Sequence, residues 1–287
     1  PGSGKTMLAR RIPTILPNLT FEEALEITKI HSISGELKED LVTQRPFRSP
    51  HYTVSASSLI GGGRIPKPGE ISLAHYGVLF LDELPEFNRA TLEVLRGPLE
   101  DRKITISRVA TTITYPSNFM LISSMNPCEC GYYGSDLKKC TCNAKSIKRY
   151  VGKISGPLLD RIDLHIEVKP VEYEKLAFTN KSETSKEIRD RVNAARNIQL
   201  ERYKEIGIFC NAELDSSLLE KFCKLDKKSR EILQKAFERF GLSARAHDKI
   251  LKIARTIADL DNSEEIQYKH IAEAIQYRAL DKTYGRE

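Results

Sequence analysis

The sequence predicts an α/β unit built on a parallel sheet, followed by an all-α unit. Three observations predict it. Short apolar runs at 77–82 and 118–124 alternate with helical patterns up to about residue 170, the arrangement of buried parallel strands joined by helices. Beyond Pro170 strand patterns cease and only helical periodicity remains. The chain also opens on Pro1-Gly-Ser-Gly-Lys-Thr6, the closing half of the phosphate-binding pattern G-x-x-x-x-G-K-[ST], which joins a strand to a helix.

Composition bounds the rest. The 287 residues are 40% hydrophobic, enough for one or two packed cores. The first residues have neither the basic start nor the apolar core of a signal peptide, and no apolar stretch approaches the ~18 residues that span a membrane. A cytoplasmic protein without membrane partners is expected. The net charge of +6 permits nucleic-acid contact without demonstrating it. Four of the six cysteines crowd between Cys128 and Cys142, a pattern that points to metal before disulfides in the cytosol.

Taken in order, residues 5–12 form a helix that Pro13 and Pro17 interrupt or end. Thr20-Phe-Glu-Glu23 is a capping box opening a helix to about His31, with Gly35 near its stop. Residues 45–75, rich in Gly, Pro and Ser, are an insertion of short elements. Residues 77–82 form a strand and 87–100 a helix. Ile104–Ile106 and Thr112–Thr114 pair as a hairpin, and 118–124 form a second buried strand. A further strand is expected at 162–168, closed by Lys169-Pro170. The domains expected are 1–170 and 171–287, with the boundary within 169–184. Helices are expected at 184–204, 215–223, 227–240, 243–259 and 267–279.

The chemistry starts at the first motif. Backbone N–H groups of Gly2, Ser3, Gly4, Lys5, Thr6 and Met7 would surround phosphates. Lys5 would reach the outer phosphates, and the Thr6 hydroxyl would bind Mg²⁺. The strand Val78-Leu-Phe-Leu ends in Asp82-Glu83. That placement puts Asp82 on the metal and Glu83 beside an attacking water, which it would orient or deprotonate. Asn126 follows the next strand and can touch the γ-phosphate or the water, or be a turn former before Pro127. Arg161 could reach a neighbouring subunit's nucleotide, which implies a ring, or pair locally with Asp160 or Asp163. Arg245, near a helix start, could contact the nucleotide from the all-α unit or be a solvated helix residue. Cys128-x-Cys130 and Cys140-x-Cys142 could hold a structural zinc with four thiolates, or remain reduced and unligated.

Longer motifs carry a resemblance. Pro1-Gly-Ser-Gly-Lys-Thr-Met-Leu-Ala-Arg-Arg11, Arg45-Pro-Phe-Arg-Ser-Pro-His51, Pro68-Gly-Glu-Ile-Ser-Leu-Ala-His75, Asn126-Pro-Cys128, Gly156-Pro-Leu-Leu-Asp-Arg-Ile-Asp-Leu-His165 and Leu242-Ser-Ala-Arg-Ala246 together resemble the YifB/ComM family, bacterial proteins related to the magnesium-chelatase ATPase subunit. The resemblance implies a P-loop AAA+ module with a helical lid, hexamer formation with ATP, and the cofactors ATP and Mg²⁺. Lys5-Thr6, Asp82-Glu83, Asn126, Arg161 and Arg245 fall on that family's Walker A, Walker B, sensor 1, arginine-finger and sensor 2 positions. The 45–75 segment resembles its helix-2 insertion and the 103–114 hairpin its pre-sensor-1 hairpin, elements that face the pore in related rings. ComM-type proteins act on branched DNA, so DNA is the partner it implies.

The resemblance also implies a first loop glycine two residues before Pro1, a strand feeding that loop and a Lon-protease-like N-terminal domain. The stretch from Pro1 on its own is therefore expected to bind ATP weakly and to be weak or inactive as an ATP hydrolase. Three functions remain open: a DNA-remodelling motor whose Arg64, Lys67, Lys103 or Arg108 grips phosphates, a chelatase-like or chaperone-like ATPase remodelling a protein, and a non-catalytic assembly module.

Overall fold

The computed structural model describes residues 3–37, 39–108, 111–135, 138–168 and 182–278. Two compact units divide the chain. One comprises Pro1–Arg161 with Val168–Asn180, the other Ile162–Glu167 with Lys181–Glu287. The boundary expected within 169–184 lies mostly outside the described residues.

The first unit is an α/β layer structure. Strands β1 (Phe47–Arg48), β4 (Val78–Leu81) and β7 (Met120–Ser123) form a parallel sheet in the order β1-β4-β7. All four residues of β4 are buried, because side chains alternate across a strand and both faces are covered. Val78 and Phe80 pack with Ala9 of α1 (Lys5–Arg11) on one face. Leu79 and Leu81 join Leu59, Ile71, Leu92 and Leu158 on the other. Gly77 allows the sheet to close: a Cβ there would lie 2.1 Å from the Pro46 carbonyl oxygen.

Helix α2 (Phe21–Ser34) opens on the expected capping box, with Thr20 accepting from the Glu23 N–H and Glu23 accepting from the Thr20 N–H. It runs three residues past His31 and stops at Gly35 in the left-handed conformation. The insertion holds α3 (Ala56–Ile60), β2 (Gly61–Gly62), β3 (Lys67–Pro68) and α4 (Glu70–Leu73). Strands β2 and β3 pair as an antiparallel ribbon. The two motif arginines in it are structural. Arg45 donates to the carbonyls of Pro17, Asn18 and Tyr76 and to Glu23, while Arg48 forks onto both Glu70 oxygens.

The single helix expected over 87–100 is two, α5 (Arg89–Glu93) and α6 (Arg96–Asp101). Pro98 has no N–H to return to Val94, so the first helix cannot continue through it. The hairpin is present as β5 (Lys103–Arg108) and β6 (Thr111–Pro116). Helices α7 (Ala144–Val151) and α8 (Gly156–Leu159) complete the unit.

The second unit is helical: α9 (Ser185–Tyr203), α10 (Ser216–Phe222), α11 (Lys227–Phe240), α12 (Ala244–Leu260) and α13 (Tyr268–Gln276). Its apolar core centres on Ile250, Ala254 and Ala258 of α12, one face at four-residue spacing. The strand expected at 162–168 is not one. The segment is extended, but its His165 N–H donates to the Tyr277 carbonyl and its Ile162 carbonyl accepts from Arg278. Its alternating pattern is met by isolated bonds to the end of the helical unit rather than by a ladder, and Leu164 and Ile166 are exposed. Among the described residues no helix is long and apolar enough to cross a membrane.

Candidate nucleotide site

The opening motif turns sharply. Gly4, the residue before α1, has φ 72° and ψ 18°, a left-handed conformation that a side chain would strain. The turn sets Lys5 Nζ 3.3 Å from Ser3 Oγ and 3.3 Å from Asn126 Oδ1. Residues 121 apart in sequence thus meet at the ends of α1 and β7. Thr6 Oγ1 donates to Asp82 Oδ2 at 2.7 Å. The other carboxylate oxygen accepts from Ser124 Oγ and, at 3.1 Å, from the Glu83 N–H. Three chain segments therefore aim donors at one carboxylate.

Glu83 follows directly. It is exposed and has φ 53°, an uncommon conformation for a residue with a side chain. The strand ends knit around it: the Leu84 N–H donates to the Ser124 carbonyl at 2.9 Å, and the Ser124 N–H to the Leu81 carbonyl at 3.0 Å. Backbone strain of this sort collects at functional sites and persists when the surroundings over-determine it.

The donor set fits a nucleotide with its metal. The Thr6 hydroxyl and the Asp82 carboxylate are hard oxygen ligands held side by side, the type that Mg²⁺ takes in small number beside substrate phosphates. Lys5 is a cation satisfied here only in part, by two neutral oxygens. Met7 lies next on α1 with its side chain 73% exposed. Pro1 and Gly2 lie outside the described residues.

Two expected residues stand apart from this cluster. Arg161 is engaged within its own unit: it pairs with Glu100 at 2.7 Å and donates to the carbonyls of Pro157 at 2.7 Å and Arg96 at 3.2 Å. The local pair considered in the sequence, with Asp160 or Asp163, is replaced by Glu100 from α6. Arg245 is an exposed residue in the first turn of α12, in the helical unit.

The cysteines converge. The sulfurs of Cys128, Cys130, Cys140 and Cys142 all lie within 4.8 Å of one another, with separations of 3.3, 3.8 and 3.6 Å among the first three. Tetrahedral zinc with bonds of ~2.3 Å sets its four sulfurs ~3.8 Å apart. Backbone amides also aim at the sulfurs, as suits thiolates. The N–H groups of Tyr132 and Thr141 hold the Cys130 thiol down at about 5, and the Cys142 N–H donates to Cys140 Sγ at 3.4 Å.

Two residues of this region escaped sequence reasoning. Ser124 binds Asp82, and the buried Tyr150 accepts the Asn126 N–H at its phenol oxygen, which burial pushes up to about 12. Ser124 lies two residues before Asn126 and was findable as a polar end of the strand. Tyr150 lies in a helix with no motif.

Comparison with known proteins agrees with this architecture. The family profile described as magnesium chelatase, subunit ChlI, matches residues 1–176, and that of its C-terminal part matches 182–278. The chain is 46% identical over 284 residues to protein YifB of Escherichia coli, covering 98% of this chain and 55% of that one. It is 47% identical over 282 residues to competence protein ComM of Haemophilus influenzae, covering 98% and 54%. The magnesium-chelatase 67 kDa subunit of Chlorobaculum parvum is 25% identical over 172 residues, 59% of this chain and 22% of that one. The chain thus spans about half the length of the curated relatives it matches best along its own length. With α/β and helical units in the expected order and both family profiles matched along it, the chain belongs to the magnesium-chelatase family of AAA+ proteins, in its YifB/ComM group.

Proposed function

We propose that this chain is the motor part of a ring-forming ATPase that remodels DNA. The observation that carries the ATPase reading is the convergence of Lys5, Thr6, Asp82 and Asn126 within hydrogen-bond reach, from three separate segments. Lys5 would neutralise the outer phosphates, and Thr6 and Asp82 would hold Mg²⁺. The metal, when bound, screens phosphate charge during transfer. Glu83 would polarise the attacking water, with Asn126 fixing that water or the γ-phosphate. In a ring assembled with ATP, Arg161 would exchange Glu100 for a neighbour's nucleotide. Arg245 would touch the nucleotide from the helical unit, which serves as the lid, so that hydrolysis changes the angle between the units. The proposed division is an α/β unit over 1–170 and a lid over 171–287.

DNA as the substrate is supported by the resemblance to ComM-type proteins and by exposed cations on the two hairpins, Arg64 and Lys67 on one and Lys103 and Arg108 on the other. Such side chains contact phosphates without reading sequence. The magnesium-chelatase profiles support a second reading, remodelling of a protein partner. Hydrolysis by the full-length protein, with and without a four-way DNA junction, decides between them. Stimulation by the junction that disappears in Lys5→Ala and weakens steeply with salt supports the DNA motor. Hydrolysis indifferent to every DNA tested transfers the assignment to a protein substrate. For the cysteine cluster the reading is structural zinc, one ion per chain, retained through dialysis and lost in Cys140→Ser.

A further inference from the structure

The cysteine cluster and the nucleotide site meet at one residue. The Asn126 side chain accepts from Lys5 at 3.3 Å, and its main-chain N–H donates to the Tyr150 phenol oxygen. Both of its attachments lead back to the cysteines. Forward along the chain, Pro127 alone separates it from Cys128, which is fully buried. Proline fixes its own φ and confines the preceding residue to extended conformations, so few soft torsions remain between Asn126 Cα and the Cys128 sulfur.

Across the loop, Tyr150 belongs to α7, which begins immediately after Cys142. Asn143 caps that helix through the Ser146 N–H at 2.8 Å. The tyrosine is 4% exposed and packed in place, so the helix cannot shift without carrying the phenol with it. Cys128 at one end of the loop and Cys142 at the other are drawn together only through the four-sulfur cluster. An ion pair between Glu129 and Arg149 also spans the gap, at 3.3 Å, but both side chains are largely exposed and such pairs contribute little. The metal site is therefore the clasp of a frame that holds Asn126 from two directions.

We propose that the zinc-held cysteine cluster positions Asn126 for ATP hydrolysis, so that metal occupancy sets turnover while nucleotide binding is left nearly unchanged. This rests on the ATPase and zinc readings above. Cys128 and Tyr150 are positioning residues: neither touches the nucleotide. Lys5, Thr6 and Asp82 are held by other contacts and keep their grip on ATP when the clasp opens.

The test uses the full-length protein and four variants, with zinc content, nucleotide affinity and steady-state hydrolysis measured on each. Cys140→Ser should lose the metal and ~10-fold in kcat, the scale of supporting-residue effects at metal sites, with ATP affinity within ~2-fold. Asn126→Ala should lose at least as much with its zinc intact. The double variant should be no worse than Asn126→Ala alone, because residues acting through one another are non-additive. Tyr150→Phe keeps the packed ring and the zinc, so a fall in kcat there cannot be laid to misfolding. A second readout is spectroscopic: in cobalt-substituted protein the thiolate-to-metal bands should shift when a non-hydrolysable ATP analogue binds, and should stay fixed in Asn126→Ala. A metal-free Cys140→Ser with unchanged kcat, or losses that multiply in the double variant, overturns the coupling while leaving ATPase and zinc standing. Absence of zinc from the parent protein overturns it through the zinc reading, and full activity in Lys5→Ala through the ATPase reading.

Discussion

Glu83 and His75 show how single residues are set for different tasks. Glu83 takes a left-handed backbone with φ 53° while Asp82 beside it is tied by Thr6, Ser124 and the Glu83 N–H. One carboxylate is fixed and its neighbour is left exposed. Glu83→Gln should keep ATP and lower hydrolysis by ~10² or more, the scale of a lost general base, as a trapped-nucleotide assay would record. Unimpaired turnover would remove Glu83 from the mechanism. His75 is structural. Its Nδ1 accepts the Asn118 N–H at 3.0 Å, so Nε2 carries the proton toward Glu26 at 3.0 Å. Burial, the largest cause, pushes its pKa below the ordinary value despite Glu26. The unfolded chain therefore binds the extra proton first. Stability should be full above about pH 6.5 and fall as pH drops below it. Urea midpoints across that range measure the slope, which His75→Gln should flatten. At this scale the sequence disclosed Lys5, Thr6, Asp82 and Glu83 because phosphate chemistry demands those types at those spacings. Tyr150 stayed hidden because its place beside Asn126 depends on a helix returning from a 15-residue loop, which no local pattern encodes.

Among the elements, the two hairpins illustrate what close approach requires. Ribbon β2–β3 lies against itself: a Cβ on Gly61 would come within 2.2 Å of the Lys67 carbonyl oxygen, and one on Gly69 within 2.3 Å of the Gly61 nitrogen. Hairpin β5–β6 is tied to this ribbon by the buried Tyr115, whose hydroxyl donates to the Pro66 carbonyl at 2.7 Å. The Arg108 guanidinium lies 2.8 Å from where a Gly62 Cβ would stand. The hairpins form one assembly, and proposed phosphate contacts on either should be coupled. Tyr115→Phe removes one buried hydrogen bond, worth about 1 kcal/mol. It should raise the amide exchange rate of both hairpins together, whereas exchange raised in β5–β6 alone would show them to be independent. The hairpin was legible because β5 and β6 alternate in period two over a short turn. The same period at 162–168 misled, because alternation reports an extended backbone and does not say whether a ladder partner exists. The helix over 87–100 misled for the opposite reason: its apolar pattern is continuous, but Pro98 withholds an N–H.

For the whole molecule, the decisive feature is that each unit owns its core. The α/β core gathers around Leu79, Leu81 and Ile71, and the helical core around Ile250 and Ala254. The helical unit is further locked by Asp259, which is fully buried. It accepts from Arg202 at 2.5 and 3.0 Å, from Arg255 at 3.2 Å and from Asn211 at 2.8 Å. Removing one member of a buried ionic group strands the others and costs about 3–5 kcal/mol. Asp259→Asn should therefore lower the melting midpoint of the helical unit by ~10 °C or more. Gly77→Ala, which drives a Cβ into the Pro46 carbonyl, should lower that of the α/β unit by overpacking, at about 1–3 kcal/mol. Calorimetry of the two variants should resolve separate transitions, each moved by its own substitution. Mg-ATP at 100 times its dissociation constant adds about 2.7 kcal/mol to whatever it binds. If Lys5, Thr6 and Asp82 supply most of the nucleotide's contacts, it should raise the transition that Gly77→Ala lowers. If Arg245 contributes strongly from the lid, the helical transition should rise with it, and Arg245→Ala should abolish that second shift alone. A single transition moved equally by both substitutions would show that the units unfold as one.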